Sequence, residues 1–593
     1  MTEAVLDSPV LPQKRRILEG LDTDRWLMGG LVLLAVLWMI AVVVLPLYAL
    51  LSKSMFDQSG KFVGLDNFFH YFRTPSLSVS LYNSFFVSLV TTSISVTLGF
   101  LYAYALTRTT IPGKSFFRSI AMLPLFAPTL LYGVILVYLF GKKGIVTTGF
   151  FGLWEKLLGV NLGLDIGLYG PVGIIIAEVL FTFPQVMLIL SVALGMTDAR
   201  LYEAADSLQA SRVRTFFTVT LPGIKYGLIS ATFVSFILCF TDFGAPKVVG
   251  GNYNVLATEI YRQVIGQQNF VMGATVSVIL LIPTAVAFLL DRINQRRQIA
   301  LIAAKSVPLT PKPQAVRDGI LLAFCSLMAL LLGGLFATAV LASLVRLWPY
   351  DLSVSLGHYD FRNVGGGGYP ALFNSIRMSA YSAVIGTAVT FASAYLIEKS
   401  TGMRWLRQGA YFLSTLPLAL PGLVIGLSYI FFFNAPVWRI FGLELPNPLH
   451  FLYRTMGILV VCNIVHFYTV SFLTATTALK QLDKEFEAVS LSLAVPFYKT
   501  FLRVTVPVCL PAILEISMYY FVNSMATVSG VIFLYSADLP LASVAVANMD
   551  DAGDIASAAA MSVLIVLANI AARVLYGVLT RGVHTRTQAW IAA

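Results

Sequence analysis

Charge is scarce in this chain. Of its 593 residues only 12% are Asp, Glu, Lys or Arg, against about a quarter in soluble domains, while 58% are hydrophobic. That balance excludes a soluble globular protein and points to a membrane one. Cysteine is scarcer still: Cys239, Cys325, Cys462 and Cys509 all stand in or at the ends of apolar stretches, and none forms a CxxC pair. This excludes a disulfide framework and a cysteine metal site, and the thiols read as small apolar packing groups. Catalytic signatures are missing too. There is no HExxH, no pair of carboxylates on one helix face and no nucleophile–base set, so the chain does not read as an enzyme. Pro112-Gly113-Lys114-Ser115 ends like a phosphate-binding loop, but position 108 is Arg where glycine is needed, and no strand precedes it. Gly365 to Gly368 lack a helix-opening context and read as a flexible turn on the outer side.

What the chain has is long apolar runs. Twelve are each long enough to span hydrocarbon as a helix: roughly 28–51, 80–106, 119–141, 169–195, 222–244, 271–291, 319–345, 374–397, 408–434, 455–479, 508–534 and 556–579. The first begins after some 27 polar residues with no small-x-small cleavage site, so it reads as an anchor and not as a removed signal. The net charge of +11 raises the question of a nucleic-acid partner. Its distribution answers against one. Lys and Arg gather in the N-terminal tail (Lys14, Arg15, Arg16, Arg25) and in alternate loops (Arg108, Lys114, Arg118; Arg292, Arg296, Arg297; Lys399, Arg404, Arg407). The positive-inside rule puts all of these in the cytoplasm as solvated, orientation-setting groups, with both termini on the same side.

A polar segment occurs twice between these runs. Tyr202 to Pro222 and Phe486 to Pro507 share Ser207-Leu208 with Ser492-Leu493, Thr215-Phe216 with Thr500-Phe501, and Val219-Thr220-Leu221-Pro222 with Val504-Thr505-Val506-Pro507, at a constant offset of 285. The repetition extends to Asn83-Ser84 and Asn374-Ser375, to Ala103-Tyr104 and Ala394-Tyr395, to Pro124 and Pro128 with Pro417 and Pro421, and to Leu256-Ala257-Thr258 with Leu541-Ala542-Ser543. A period near 290 with six spans each means two copies of one unit. Six is even, so the copies insert in parallel, with a path for a solute between them. The prolines at 124, 128, 417 and 421 should kink or break their spans. The division is a tail over 1–27, a first repeat over 28–291, a linker over 292–318, a second repeat over 319–580 and a tail over 581–593. The linker, basic and then Pro-rich, suits an extended cytoplasmic segment.

Glu203-Ala204-Ala205, with Leu221-Pro222 nineteen residues after the Glu, resembles the EAA loop of permease subunits of type I ATP-binding-cassette importers. The resemblance covers both halves. It implies an all-α polytopic inner-membrane protein of about twelve helices in two parallel six-helix repeats, with both loops acting as coupling helices. Glu203, Ala204, Ala205, Leu221, Pro222, Glu487, Ala488 and Pro507 would meet a dimer of separate cytoplasmic ATP-binding subunits. ATP would sit there, no cofactor would bind this chain, and a periplasmic binding protein would deliver the solute. Small alanines let a helix lie close to its partner, and Pro222 restarts the chain as the next span. Two departures stand out: Gln209 replaces the family's usual glycine, and Glu487 is one residue further from its proline than Glu203, so it falls opposite Tyr202. The competing class is a twelve-helix secondary transporter, which predicts coupling-ion carboxylates in the spans and uptake that needs no ATPase.

Candidates for the solute path are Asp242, at a Gly/Pro break after the fifth span, Glu178 in the fourth, and Lys247, with His466 in the tenth a further polar group; the alternative for each is a bundle-facing group satisfied by neighbours. The fused form resembles permeases for ferric iron, thiamine and 2-aminoethylphosphonate, and residues 241–270 look most like the last. A zwitterion would meet both Asp242 and Lys247. Ferric iron would more naturally ask for Tyr, His or carboxylate clusters, and the spans hold no such cluster. Asp550, Asp551 and Asp554, with the loop over 247–270, are candidate contacts for the binding protein.

Overall fold

The computed structural model describes residues 12–160, 163–301, 307, 309–400, 403–440, 443–493 and 495–588. Eight of its helices are long and apolar enough to cross a membrane. They are Asp24–Ser54, Pro75–Arg108, Pro171–Gly195, Phe270–Gln295, Ala315–Leu344, Gly368–Lys399, Met456–Gln481 and Ile555–Thr580. Four further crossings are bent pairs: Lys114–Phe126 with Thr129–Phe140, Arg212–Gly223 with Lys225–Thr241, Arg404–Ala419 with Gly422–Phe433, and Phe497–Val508 with Leu510–Ala526. Counted as one span each, they give twelve, and the third, fifth, ninth and eleventh are the broken ones. Helix precedes the first span from Pro12. The sixth helix runs on to Leu301 and the seventh starts at Ala315, so the extended part of the linker lies between them.

The breaks at the third and ninth spans follow from proline. Ala127 (φ −105°, ψ 142°) and Leu420 (φ −98°, ψ 115°) are held extended by the prolines after them. The helix cannot continue through either, and the bends are 104° and 111°.

Within each half the helices pack on small residues. Ser84, Ser88, Thr91, Ser95 and Gly99 of the second span are all buried, as are Ser375, Ser379, Ser382, Gly386 and Thr390 of the eighth. The two stripes are offset by 291 residues. A Cβ on Gly99 would lie 2.6 Å from Val186, and one on Gly386 3.1 Å from Tyr520. Close backbone approach over Ser, Thr and Gly is how helices associate where lipid removes the hydrophobic drive. Hydroxyls bridge the same seams: Ser95 to Thr182 at 2.7 Å and Thr390 to Tyr520 at 2.8 Å.

Two of the repeated motifs turn out to be partners of one another. The Asn83 amide donates to Asn254 O (2.9 Å), and Ser84 Oγ accepts from Leu256 N–H (2.7 Å). In the second half Asn374 donates to Pro540 O (3.2 Å), and Ser375 accepts from Ala542 N–H (2.8 Å). Each Asn-Ser pair therefore satisfies the backbone at the start of a short helix that follows the fifth or eleventh span.

The broken spans also meet one another. A Cβ on Gly244 would fall 2.1 Å from Thr129 Oγ1 and 2.9 Å from Leu130 N, and one on Gly422 2.4 Å from Ser529 Oγ. Only glycine lets the two interruptions touch. Two short antiparallel hairpins, Val345–Leu347 with Asp351–Val354 and Val437–Ile440 with Leu443–Pro446, stand on the face opposite the linker. The alternation of spans puts both repeated polar segments on the linker face.

Gly244→Ala is expected to force the breaks apart and to destabilise the protein by about 1–3 kcal/mol. Thermal unfolding of detergent-purified protein measures this. Gly333→Ala, whose Cβ has nothing within 4 Å, serves as the control and should leave the melting temperature unchanged.

Candidate coupling surfaces and solute path

The first repeated segment folds as a nine-residue helix, Ala199–Ser207. Asp198 caps it, accepting the Arg200 N–H at 3.1 Å. Glu203 and Ala204 face solvent while Ala205 is buried, so the Glu is presented and the second alanine is the packing contact. Tyr202 turns inward, its hydroxyl bonded to Thr220 Oγ1 at 3.1 Å. The Arg108 guanidinium lies 5.0 Å from the centre of its ring. Arg108 is not a solvated orientation signal, as the charge pattern suggested. It is 6% exposed and donates to Leu194 O (2.8 Å) and to the Thr197 hydroxyl. It ties the second span to the end of the fourth, where the coupling helix begins.

Gln209, the departure from the family glycine, sits in left-handed backbone (φ 52°), the conformation glycine is used for. The chain then re-enters a helix at Ser211, which caps the Arg214 N–H at 3.3 Å. It passes through a π-helical turn over Phe216–Thr220 and bends 66° between Arg212–Gly223 and Lys225–Thr241. Pro222 lies in the last turn before that bend, with Leu221 beside it. The fifth span proper therefore starts at Lys225, not at the proline.

The second segment repeats this construction. Asp483 caps Lys484–Ser492 by accepting the Glu485 N–H at 3.0 Å. A π-helical turn covers Phe501–Thr505, Pro507 follows, and the bend is 77°. Both caps, both π turns and both prolines keep the 285-residue offset, so nothing is inserted between them. Glu487 therefore stands one residue earlier in its helix than Glu203 and occupies the place of Tyr202. Its side chain lies outside the described residues; Ala488 and Val489 are exposed.

The two units are also held differently. Val307 of the linker accepts the Ala199 N–H at 2.9 Å, its own N–H reaches Asp198 Oδ1 at 3.4 Å, and Lys312 pairs with Asp206 at 3.5 Å. In the second half it is Asp24, from the first helix, that accepts the Phe497 N–H at 2.9 Å.

The path candidates separate into two places. Glu178 is fully buried and faces Asp242. Asp242 accepts the Ala245 N–H at 3.0 Å, and the Thr129 hydroxyl also bonds to it. Tyr132 lies near enough to feel the charge of both carboxyls, so the fold gathers oxygen groups that the linear sequence does not display. Lys247 has other partners. It pairs with Asp551, across the two halves, and lies 5.1 Å over the Tyr261 ring. Tyr261 in turn stacks on Phe533 with centroids 6.5 Å apart. His466 lies beside Gly422, at the break of the ninth span. On the face opposite the linker an open cleft of about 1190 Å³ joins the halves, lined by Lys142, Lys143, Arg346 and His358 together with Asp554.

Beside the Lys247–Asp551 pair, burial and then the neighbouring Asp551 charge push the Asp550 carboxyl up from 3.8 to about 6, while Lys247 pulls it down. A carboxyl with its folded value above its unfolded one favours the folded state while protonated. Its contribution is full below about pH 4 and is lost as the pH rises towards about 6, worth about 1–2 kcal/mol after screening. Asp550→Asn is expected to flatten that decline, read as melting temperature against pH.

The comparisons agree with this geometry. A family model described as binding-protein-dependent transport system inner membrane component matches residues 95–299 and 386–585, one stretch in each half. The ferric transport system permease protein FbpB of Actinobacillus pleuropneumoniae is 27% identical over 503 residues, covering 83% of this chain and 69% of the relative. A probable ABC transporter permease protein of Sinorhizobium fredii is 22% identical over 531 residues, 87% of this chain and 90% of the relative. The molybdenum transport system permease protein ModB of Escherichia coli is 31% identical over 159 residues, 27% of this chain and 66% of the relative. With one matched unit in each half and apolar crossing helices, this chain belongs to the family of binding-protein-dependent transport system inner membrane components, as a multi-pass permease and a transport subunit.

Proposed function

We propose that this chain forms the whole membrane path of an ATP-driven importer. The observation that carries the reading is the pair of capped helix, π turn and proline units, repeated at 285 residues on one face. We take that face as cytoplasmic, with both termini on it. A dimer of ATP-binding subunits seats there on Glu203, Ala204, Ala205, Leu221 and Pro222 of one unit and on Glu487, Ala488 and Pro507 of the other. A binding protein delivers the solute to the opposite face. Closing of the ATPase dimer pushes both short helices, and each passes the motion through its π turn and bend into a span. ATP stays on the partner subunits.

The cargo we assign is ferric iron. Two considerations support it: a relative named for ferric transport that aligns with 83% of this chain, and the meeting of Glu178, Asp242 and Tyr132. The second reading is 2-aminoethylphosphonate, which the stretch over 241–270 resembles; the basic cleft of Lys142, Lys143, Arg346 and His358 favours an anionic group. Asp242 and Lys247 engage different partners here, so a zwitterion would have to displace Asp551 from Lys247.

Uptake of radiolabelled ferric iron and of labelled 2-aminoethylphosphonate by cells carrying the transporter separates the two. Glu203→Arg is expected to lower ATP-dependent uptake about tenfold, the weight of ~1.4 kcal/mol at a docking contact, while the permease still reaches the membrane. Uptake that persists in cells lacking the ATP-binding subunit would overturn the importer reading.

Gln209→Gly is expected to raise the melting temperature, because glycine occupies left-handed backbone without the penalty of about 1–2 kcal/mol that a Cβ brings. A lower melting temperature would show that the Gln209 side chain makes up for its backbone.

A further inference from the structure

Two carboxylates meet in the first half with no cation among the described groups acting on them. Glu178 is 0% exposed, and among the described residues its carboxyl has only the Asp242 carboxyl and the Cys239 thiol as hydrogen-bond partners. Thr91, also 0% exposed, is hydrogen-bonded to that thiol. Tyr132, 1% exposed, closes the cluster. Its hydroxyl donates to Pro124 O, which leaves the phenol oxygen free to accept.

The second half has the same pocket without the charge. Residue 463 is 178 plus 285, and it is Asn463, buried, with both amide atoms unpartnered. By the same offset Asp242 becomes Thr527 and Cys239 becomes Ser524. The Ser524 hydroxyl is buried and unpartnered. A purely structural polar contact would have its hydrogen bonds made. In the second half that position is left unsatisfied, and in the first it is occupied by Glu178, which has only a second acid and a thiol.

We propose that Glu178 and Asp242 bracket a transit position for a hard, oxygen-seeking metal cation, on the first half alone; for its cargo this rests on the ferric reading above. Two carboxylates ionised together in an apolar medium would repel each other and lack their water. A metal cation between them reverses both effects. Carboxylate, phenol and hydroxyl oxygens are the donors such a cation prefers. The location suits it as well. Asp242 caps the end of the fifth span, and Gly244 just after it lies against Thr129 at the break of the third; helix ends and interruptions in a bundle are where backbone carbonyls become available to ions. The cation passes one charged half and one neutral half, so it is bound from one side and released towards the other.

The test uses the full chain in lipid nanodiscs and terbium(III) alone as the probe. Tyrosine-sensitised terbium emission is expected to rise and saturate with the native chain. Glu178→Gln and Asp242→Asn, which keep side-chain shape, are expected to weaken binding at least roughly tenfold. Asn463→Ala, in the uncharged pocket, should leave it unaltered. Melting temperatures of the variants separate lost binding from lost fold. Emission that is equal in the native chain and both variants, or that never saturates, overturns the site: the carboxylates then share a proton and nothing more. Ferric uptake that proceeds unchanged in both variants also overturns it, and leaves the ferric reading standing. If the native transporter imports no ferric iron while terbium binding still depends on both acids, the ferric reading falls and the cation site stands.

Discussion

Every interruption of a helix inside hydrocarbon exposes backbone groups that water cannot reach, and the architecture of this protein is arranged around that constraint. Each half breaks its third and fifth spans. The breaks of the third and ninth spans touch the chain just past the ends of the fifth and eleventh through Gly244 and Gly422, and side chains of the second and eighth spans, Asn83-Ser84 and Asn374-Ser375, bond the backbone just beyond. The small-residue stripes bring those spans near enough to do so. Broken helices thus become fixed points of the bundle, and the polar groups placed at them are held in defined positions.

The halves share this skeleton but differ in what they hang on it. Asp198 and Asp483 cap equivalent helices, yet Tyr202 under Arg108 stands where the second half has Glu487. The linker pins the helix of the first repeated segment, and the first helix of the chain reaches the other unit. Glu178 and Asp242 have Asn463 and Thr527 as their counterparts. Duplication supplied two equal frames, and fusion into one chain allowed each to be altered independently.

Much of this was legible from residues alone. Apolar runs about 20 residues long, tandem matches at a fixed offset and prolines inside spans are local signals, and they located the twelve crossings and the two bends at 104° and 111°. The coupling segments were visible for the same reason, and so was the register of Glu487 against Tyr202. The bends at Ile224 and Cys509 and the π turns before them were not, because no residue type marks a five-residue helical turn. Arg108 looked like a loop charge since nothing nearby in sequence reveals Leu194 and Thr197. Tyr132 joins Glu178 and Asp242 only through packing, and the partner of Lys247 lies 304 residues away.

The linker has one more consequence. Residues 302–314 separate the sixth helix from the seventh, a contour of roughly 45 Å when extended. Val307 is pinned to Ala199 and Lys312 to Asp206, so the connection is fastened to the first half at two points. What it sets is stoichiometry: each half is synthesised with its complement, and a homodimer of either half is no longer an available assembly. A pocket that carries its charge on one side only can persist under that condition, since no second charged copy is ever placed opposite it.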